Sequence, residues 1–330
     1  MNNPIMSILP SISIIIPVYN VEKYIAECLQ SVMWQTYQGA IECILVDDCG
    51  TDKSIAVAEQ LIAAYKGPIE FRILHHEQNR GLSAARNTGT DTANGDYIYY
   101  LDSDDFIDEN TIEVLYDSIQ SGDYAIAISY FTKYTEKGDE IYCDEWIFNE
   151  PRVIEPEEYA ERMLMQKSNF ASTAKLYKKD FLEKLRFEEG HLNEDTLFVI
   201  DTISIIEVRK LKCIDVPLYS YHYRMNDESI CHKSTYKMDT AYVENIQVAI
   251  DRYKDRTDLV EWLKSDQLTR CIKVLRDREV DKMHYEIVIK YLRYFSNKFI
   301  NEQKRSSKTY LHILMIKYLP HLMWIIEHKY

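Results

Sequence analysis

The sequence predicts an α/β protein: a mostly parallel sheet flanked by helices, followed by a C-terminal helical extension. Three observations carry that reading. Apolar, β-branched runs alternate with helical patterns of about a dozen residues through the first hundred positions, and crossovers of that kind impose parallel pairing with both sheet faces covered. Past about Tyr236 the strand pattern fades and apolar residues recur at helical spacing as far as Phe299. Polar and acidic strings close the strands, where parallel sheets place their ligands.

Ser11 to Val18 reads as the first strand, and Tyr24 to Gln35 as a helix whose Ile25, Leu29 and Val32 share one face. Ile41 to Val46 is a second buried strand, Ser54 to Tyr65 a helix, Ile69 to Leu74 a strand, Ser83 to Ala93 a helix and Tyr97 to Leu101 a strand. From Asn110 the pattern is mixed: a helix to Ser121, a strand over Tyr124 to Tyr130, a helix near Glu157 to Met165 and another from about Glu194. Helices are expected over Ala241 to Tyr253, Leu259 to Leu275 and Tyr285 to Phe299. The domain expectation is 1–235, divided at about 115 into a nucleotide-binding and an acceptor-side half, with 236–330 as the helical extension.

A chain of 330 residues can bury a substantial core. With 39 Lys and Arg against 53 Asp and Glu, a net of −14 argues against a sequence-independent nucleic-acid binder. Seven scattered cysteines with no CxxC pair indicate reduced thiols in a cytosolic setting rather than a disulfide framework or a zinc site. The first basic residue is Lys23 and the early apolar run is short, so no signal peptide is expected.

The chemistry concentrates in strings at strand ends. Leu101-Asp-Ser-Asp-Asp105 packs three carboxylates into four positions, which repel one another unless a cation or ligand compensates them; hard oxygens on one turn suit Mg²⁺ or Mn²⁺ shared with phosphate. Helix capping accounts for Asp108 but not for Asp102 and Asp104. In Pro17-Val-Tyr-Asn20, proline is expected to stop sheet pairing and Tyr19 to offer a ring to a base, although one tyrosine among 26 is ordinarily a core residue. Asp47 and Asp48 precede a turn through Gly50 and a cap at Asp52, so capping leaves Asp48 for a base N–H.

Asn79-Arg-Gly-Leu-Ser-Ala-Ala-Arg-Asn87 offers Gly81 for a tight turn, Ser83 as a cap and Arg86 as a guanidinium for phosphate or carboxylate, or else for a solvated ion pair. Glu194 and Asp195 start a helix, where a carboxylate either stabilises the helix dipole or serves as a general base. His222, in the aromatic string Tyr219 to Arg224, is either packed structure or a metal ligand or diphosphate contact, and Arg224 is a phosphate candidate.

In this order the strings SIIIPVYN, ECILVDDCGTDKS, NRGLSAARNTG, GDYIYYLDSDD and LYKKDFLEKLRFEEGHLNEDTLF resemble the inverting family 2 glycosyltransferases of bacterial polysaccharide synthesis, over roughly residues 11 to 232. The resemblance implies a GT-A, Rossmann-like mostly parallel sheet and a cytoplasmic enzyme that takes a nucleotide-sugar donor, UDP-linked, and a saccharide or lipid-linked saccharide acceptor. It implies that Pro17, Tyr19, Asn20, Asp48, Asn79, Arg86, Asp102 and Ser103 surround the donor nucleotide. Asp104, beside Asp102, would hold Mg²⁺ or Mn²⁺, and Asp195 would be the catalytic base; from the residues themselves, His222 is a further metal candidate and Glu194 and Arg224 are candidates for phosphate or acceptor. One departure is that the usual glycine after the paired aspartates is Cys49, with Gly50 one place later.

Residues 287–330 hold eight Lys and Arg and two Asp and Glu, about +6, leaving about −20 elsewhere. Tyr310 to Ile326 is too short to span a bilayer. With the upstream cations and Trp324 it reads either as an interfacial helix at the inner membrane face or as a helix packed on the body or on a second copy of the chain. The main competing function is a non-catalytic glycan- or nucleotide-binding subunit, which intact Asp102, Asp104 and Asp195 argue against. A sugar nucleotidyltransferase would need a glycine-rich basic loop near the N-terminus, which the sequence lacks.

Overall fold

A computed structural model describes residues 9–135, 140–143, 149–164, 170–225, 235–277 and 280–302. The basic stretch from Lys304, the Tyr310 to Ile326 run and Trp324 lie outside these residues, as do Ser229 and Ile230. The described residues within 1–190 and 198–226 form one compact unit, and those within 191–197 and 227–330 a second.

In the first unit the β-branched runs form β1 (Ile12–Val18), β2 (Ile41–Asp47), β3 (Glu70–His75) and β4 (Tyr97–Tyr100). Every residue of β1 is buried, which is why it reads as a continuous apolar run rather than an alternating one. The connecting helices are α1 (Ile25–Met33), α2 (Ser54–Ala64) and α3 (Leu82–Thr92). On α1 the buried Ile25, Cys28, Leu29 and Val32 fall at helical spacing, and this stripe packs into the core with Ile14, Ile16 and Leu45. On α3, Gly89 lets the helix lie against β1, since a Cβ there would stand 2.3 Å from Cγ2 of Ile15.

The strands after β4 are short: β5 (Phe106–Ile107), β6 (Tyr124–Ile128), β7 (Phe131–Thr135), β8 (Glu140–Cys143), β9 (Arg152–Ile154), β10 (Lys175–Lys178), β11 (Lys212–Asp215) and β12 (Tyr221–Met225). Among the described residues the main sheet has the order β3-β2-β1-β4-β10-β6-β11-β9, parallel from β3 to β4, with β10 running antiparallel to both β4 and β6. A smaller sheet has the order β5-β12-β7-β8. The unit also contains α4 (Thr111–Gln120), α5 (Pro156–Leu164) and most of α6 (Asp195–Arg209).

Three expectations are corrected. Pro17 does not end pairing: β1 continues to Val18 beside β2, while its pairing with β4 stops at Ile15, so the missing N–H costs no ladder bond on that side. Ser83 caps nothing; the cap position is Gly81, at φ 87°, and Ser83 is buried in the first turn. Asp108 gives no side-chain cap to α4, and its carboxylate instead meets His222.

The second unit contains α7 (Thr235–Arg252), α8 (Thr257–Arg276) and α9 (Lys282–Glu302). Val243, Cys271, Val274, Tyr285, Val288 and Leu292 form its core. Among the described residues no helix is long and apolar enough to cross a membrane.

Candidate active site

Register explains why distant strings meet. Val18 pairs with Asp47 and Asp47 with His75, so β1, β2 and β3 end level, and the residues that follow open on the same side of the sheet. Tyr19, just beyond β1, is 47% exposed, which suits a ring kept for a ligand better than a core tyrosine. Asn20 takes a left-handed backbone, φ 54°, and its Oδ1 accepts the N–H of Thr51 at 2.7 Å, tying the ends of β1 and β2 together.

Asp48 is 3% exposed, and both its oxygens are engaged. The N–H groups of Arg80 and Gly81 donate to Oδ1 and Oδ2 at 2.8 and 2.7 Å, and Nδ1 of His76 lies 2.7 Å from Oδ1. Asp48 therefore fixes the β3–α3 loop, a structural task that the sequence reading did not assign to it. Cys49 occupies the left-handed region at φ 58°, a backbone conformation that favours glycine, with Sγ 2.9 Å from the carbonyl oxygen of His76. Asn79 and Arg80 are exposed on this loop, and Arg80 reaches Glu189 at 3.1 Å.

The aspartate turn is pinned from three sides. Arg86 is 1% exposed and donates from Nη2 to Oδ1 of Asp102 at 2.7 Å, with its guanidinium 5.1 Å from the centre of the Phe187 ring. Arg86 is thus neither a surface cation nor an open phosphate ligand; it orients Asp102. The Tyr221 hydroxyl accepts the N–H of Asp102 at 3.2 Å and donates to Oδ2 of Asp105 at 2.9 Å. Arg224 donates its backbone N–H to Oδ1 of Asp105 at 2.8 Å and Nε–H to the carbonyl oxygen of Asp104 at 3.2 Å, and its guanidinium pairs with Glu27. Arg224 therefore braces the turn, which is a different task from the phosphate contact expected of it.

Asp105 is buried, and burial, followed by the charges of Asp104 and Asp102, pushes its carboxyl well above the usual range. Ser103, expected beside the donor nucleotide, is also buried. Asp102 and Asp104 remain partly exposed. Among the described residues no three His, Cys, Asp and Glu side chains are grouped as a metal shell. Two partly exposed carboxylates on one turn still fit Mg²⁺ or Mn²⁺, hard ions that keep waters and take the rest of their oxygens from phosphate. His222 does not extend that pair: its ring stacks on Phe106 at 4.5 Å, and Nε2 lies 2.6 Å from Oδ1 of Asp108.

Glu194 and Asp195 are half-buried at the start of α6, and this first turn belongs to the second unit. His76, Arg80, Glu27 and the hydroxyl of Tyr221 were not singled out by sequence reasoning. His76 had a usable signal, since it follows a parallel strand as Tyr19 and Asp48 do. Glu27 had none, because its partner is 197 residues away.

The profile of the family described as "Glycosyl transferase family 2" matches residues 13–186, just over half of the chain. The chain is 34% identical over 223 residues to "Glycosyltransferase GlyA" of Streptococcus pneumoniae, a match covering 64% of this chain and 30% of GlyA, so this chain spans under a third of GlyA's length. It is 29% identical over 317 residues to the Staphylococcus aureus "Poly(ribitol-phosphate) beta-N-acetylglucosaminyltransferase TarP", covering 91% of each. The crystal structure of S. aureus TarS 1–349 in complex with UDP superposes with a TM-score of 0.66 at 17% identity, covering 97% of this chain and 90% of that one, which shows a shared fold.

Proposed function

Since this chain belongs to glycosyl transferase family 2, we propose that it moves a sugar from a UDP-linked donor to a saccharide or lipid-linked saccharide acceptor of the cell surface, with inversion at the anomeric carbon. The observation that carries this reading is the aspartate turn after β4: Arg86, Tyr221 and Arg224 hold it, while Asp102 and Asp104 are left partly exposed. A scaffold has no use for that arrangement, and a leaving diphosphate does.

Tyr19 stacks on the base, and Asp48 sets the Asn79 to Gly81 loop that borders it. Asp104, with Asp102, holds Mg²⁺ or Mn²⁺. When bound, the cation supplies positive charge against the departing diphosphate. Asp195 accepts the proton of the attacking acceptor hydroxyl as the new C–O bond forms and the bond from the anomeric carbon to the β-phosphate oxygen breaks. UDP carries away the bonding electron pair. The presence among the relatives of TarP, a "Poly(ribitol-phosphate) beta-N-acetylglucosaminyltransferase", favours a polymeric acceptor.

The test measures UDP release across a panel of UDP-sugars with Asp104→Ala and Asp195→Ala beside the unaltered protein. Loss of turnover in both variants supports the mechanism. Full turnover in both sinks it.

A further inference from the structure

The segment that leads into Asp195 is anchored by a single buried amide on α7. Asn245 is 1% exposed. Its Nδ2 donates to the carbonyl oxygens of Leu192 and Asn193 at 2.8 and 2.9 Å, and its Oδ1 lies 2.7 Å from Nδ1 of His191. Both amide N–H groups and the amide oxygen are thereby used, on three consecutive residues.

Those three residues have no strand ladder to hold them. Asn193 also sits in the left-handed region at φ 56°, a conformation that persists only where its surroundings impose it. From Asn193 the chain turns directly into the helix: the N–H of Thr196 donates to the carbonyl oxygen of Asn193 at 3.1 Å, and the Thr196 hydroxyl donates to Asn193 Oδ1 at 3.0 Å. Asp195 lies inside this closed turn, so its backbone direction follows from where Asn245 holds residues 191–193.

We propose that Asn245 is a positioning residue for sugar transfer: by clamping His191, Leu192 and Asn193 it sets the aim of the Asp195 carboxylate. This rests on the reading of Asp195 as the general base. A base works only within hydrogen-bond reach of its proton, and a misplacement of about 1 Å costs on the order of 100-fold in rate. The helical extension is then a working part of the enzyme, since it carries the residue that sets the base.

The test uses the full chain with Asn245→Ala, Asn245→Asp, His191→Ala and Asp195→Asn, assayed with the UDP-sugar that gives the fastest UDP release. Asn245→Asp keeps the size but turns an oxygen toward two carbonyls. Both Asn245 variants should lose ten- to 100-fold in kcat, while donor KM and the thermal shift produced by UDP stay within twofold. A purely structural role would instead lower Tm, leave kcat per folded molecule unchanged and be recovered on cooling.

Wild-type kcat in both Asn245 variants overturns the inference when Asp195→Asn is inactive. Full turnover in Asp195→Asn overturns the general-base reading itself, whatever the Asn245 variants do. If the Asn245 variants do not fold, His191→Ala decides: it removes one contact of the clamp and should lose three- to tenfold in kcat, and an unchanged kcat counts against the inference.

Discussion

Arg86 reaches Asp102 at 2.7 Å from a position almost wholly out of water, whereas the carboxylate it holds is 29% exposed. The two partners therefore depend on the pairing unequally. Removing the carboxylate takes a charge partner from a buried guanidinium; for a fully buried pair that costs about 3–5 kcal/mol, and less here, where the carboxylate is partly exposed. Asp102→Ala should lower both activity and Tm, and should lower Tm by more than Asp104→Ala, which should abolish transfer. Thermal denaturation of the two variants, run side by side, checks this; equal Tm values would contradict the role of Arg86.

Asp48 accepts backbone N–H groups on both oxygens. Asparagine cannot reproduce that, because its NH₂ would face a backbone donor in either orientation. Asp48→Asn should cost about 1–3 kcal/mol, and by loosening the Asn79 to Gly81 loop it should raise donor KM more than it lowers kcat. Steady-state kinetics with varied donor separates the two effects.

Cys49 pays a conformational penalty at φ 58° that glycine would not. A left-handed backbone costs a residue with a Cβ roughly 1–2 kcal/mol, and β-branching makes it worse. Cys49→Val should therefore be less stable than Cys49→Gly by at least ~1 kcal/mol, as read from urea midpoints. Equal midpoints would mean that the contact of Sγ with His76, rather than the backbone, governs this position.

At the opposite end of β2, Glu42 is nearly buried. It accepts the Ser13 hydroxyl at 2.5 Å, the Asn94 N–H at 2.5 Å and Nη1 of Arg72 at 2.9 Å. Burial raises its pKa, but these donors prevail and hold the carboxyl below its ordinary value of 4.5. A folded pKa below the unfolded one contributes stability above the unfolded value, and this is lost as pH falls through the folded value. Tm should fall on acidification below about pH 4.5 in the unaltered protein. In Glu42→Gln, Tm should start lower at pH 7 and fall less steeply.

The alternation of buried runs and helices around β1 to β4 was legible because each element writes its own periodicity. The short strands β5 and β9, of two and three residues, were not, because so few positions carry no pattern. The candidate site divides in the same way. Asp102, Asp104 and Tyr19 stand out by composition and by strand-end placement. The tasks of Arg86, Asp48, His222 and Arg224 do not, because each is decided by a partner brought in from elsewhere in the chain.

By itself the sequence determined the fold class, the strand ends at which chemistry gathers and the kinship of those strings to a glycosyltransferase family, since all of these are local patterns in a fixed order. Only the tertiary structure decided which carboxylates stay partly exposed and which are buried in holding the site. Asp105 meets Arg224 across 119 residues and Asn193 meets Asn245 across 52. Whether an ionised or polar group is spent or available depends on its partners and its burial, and both come into being only when the chain has folded.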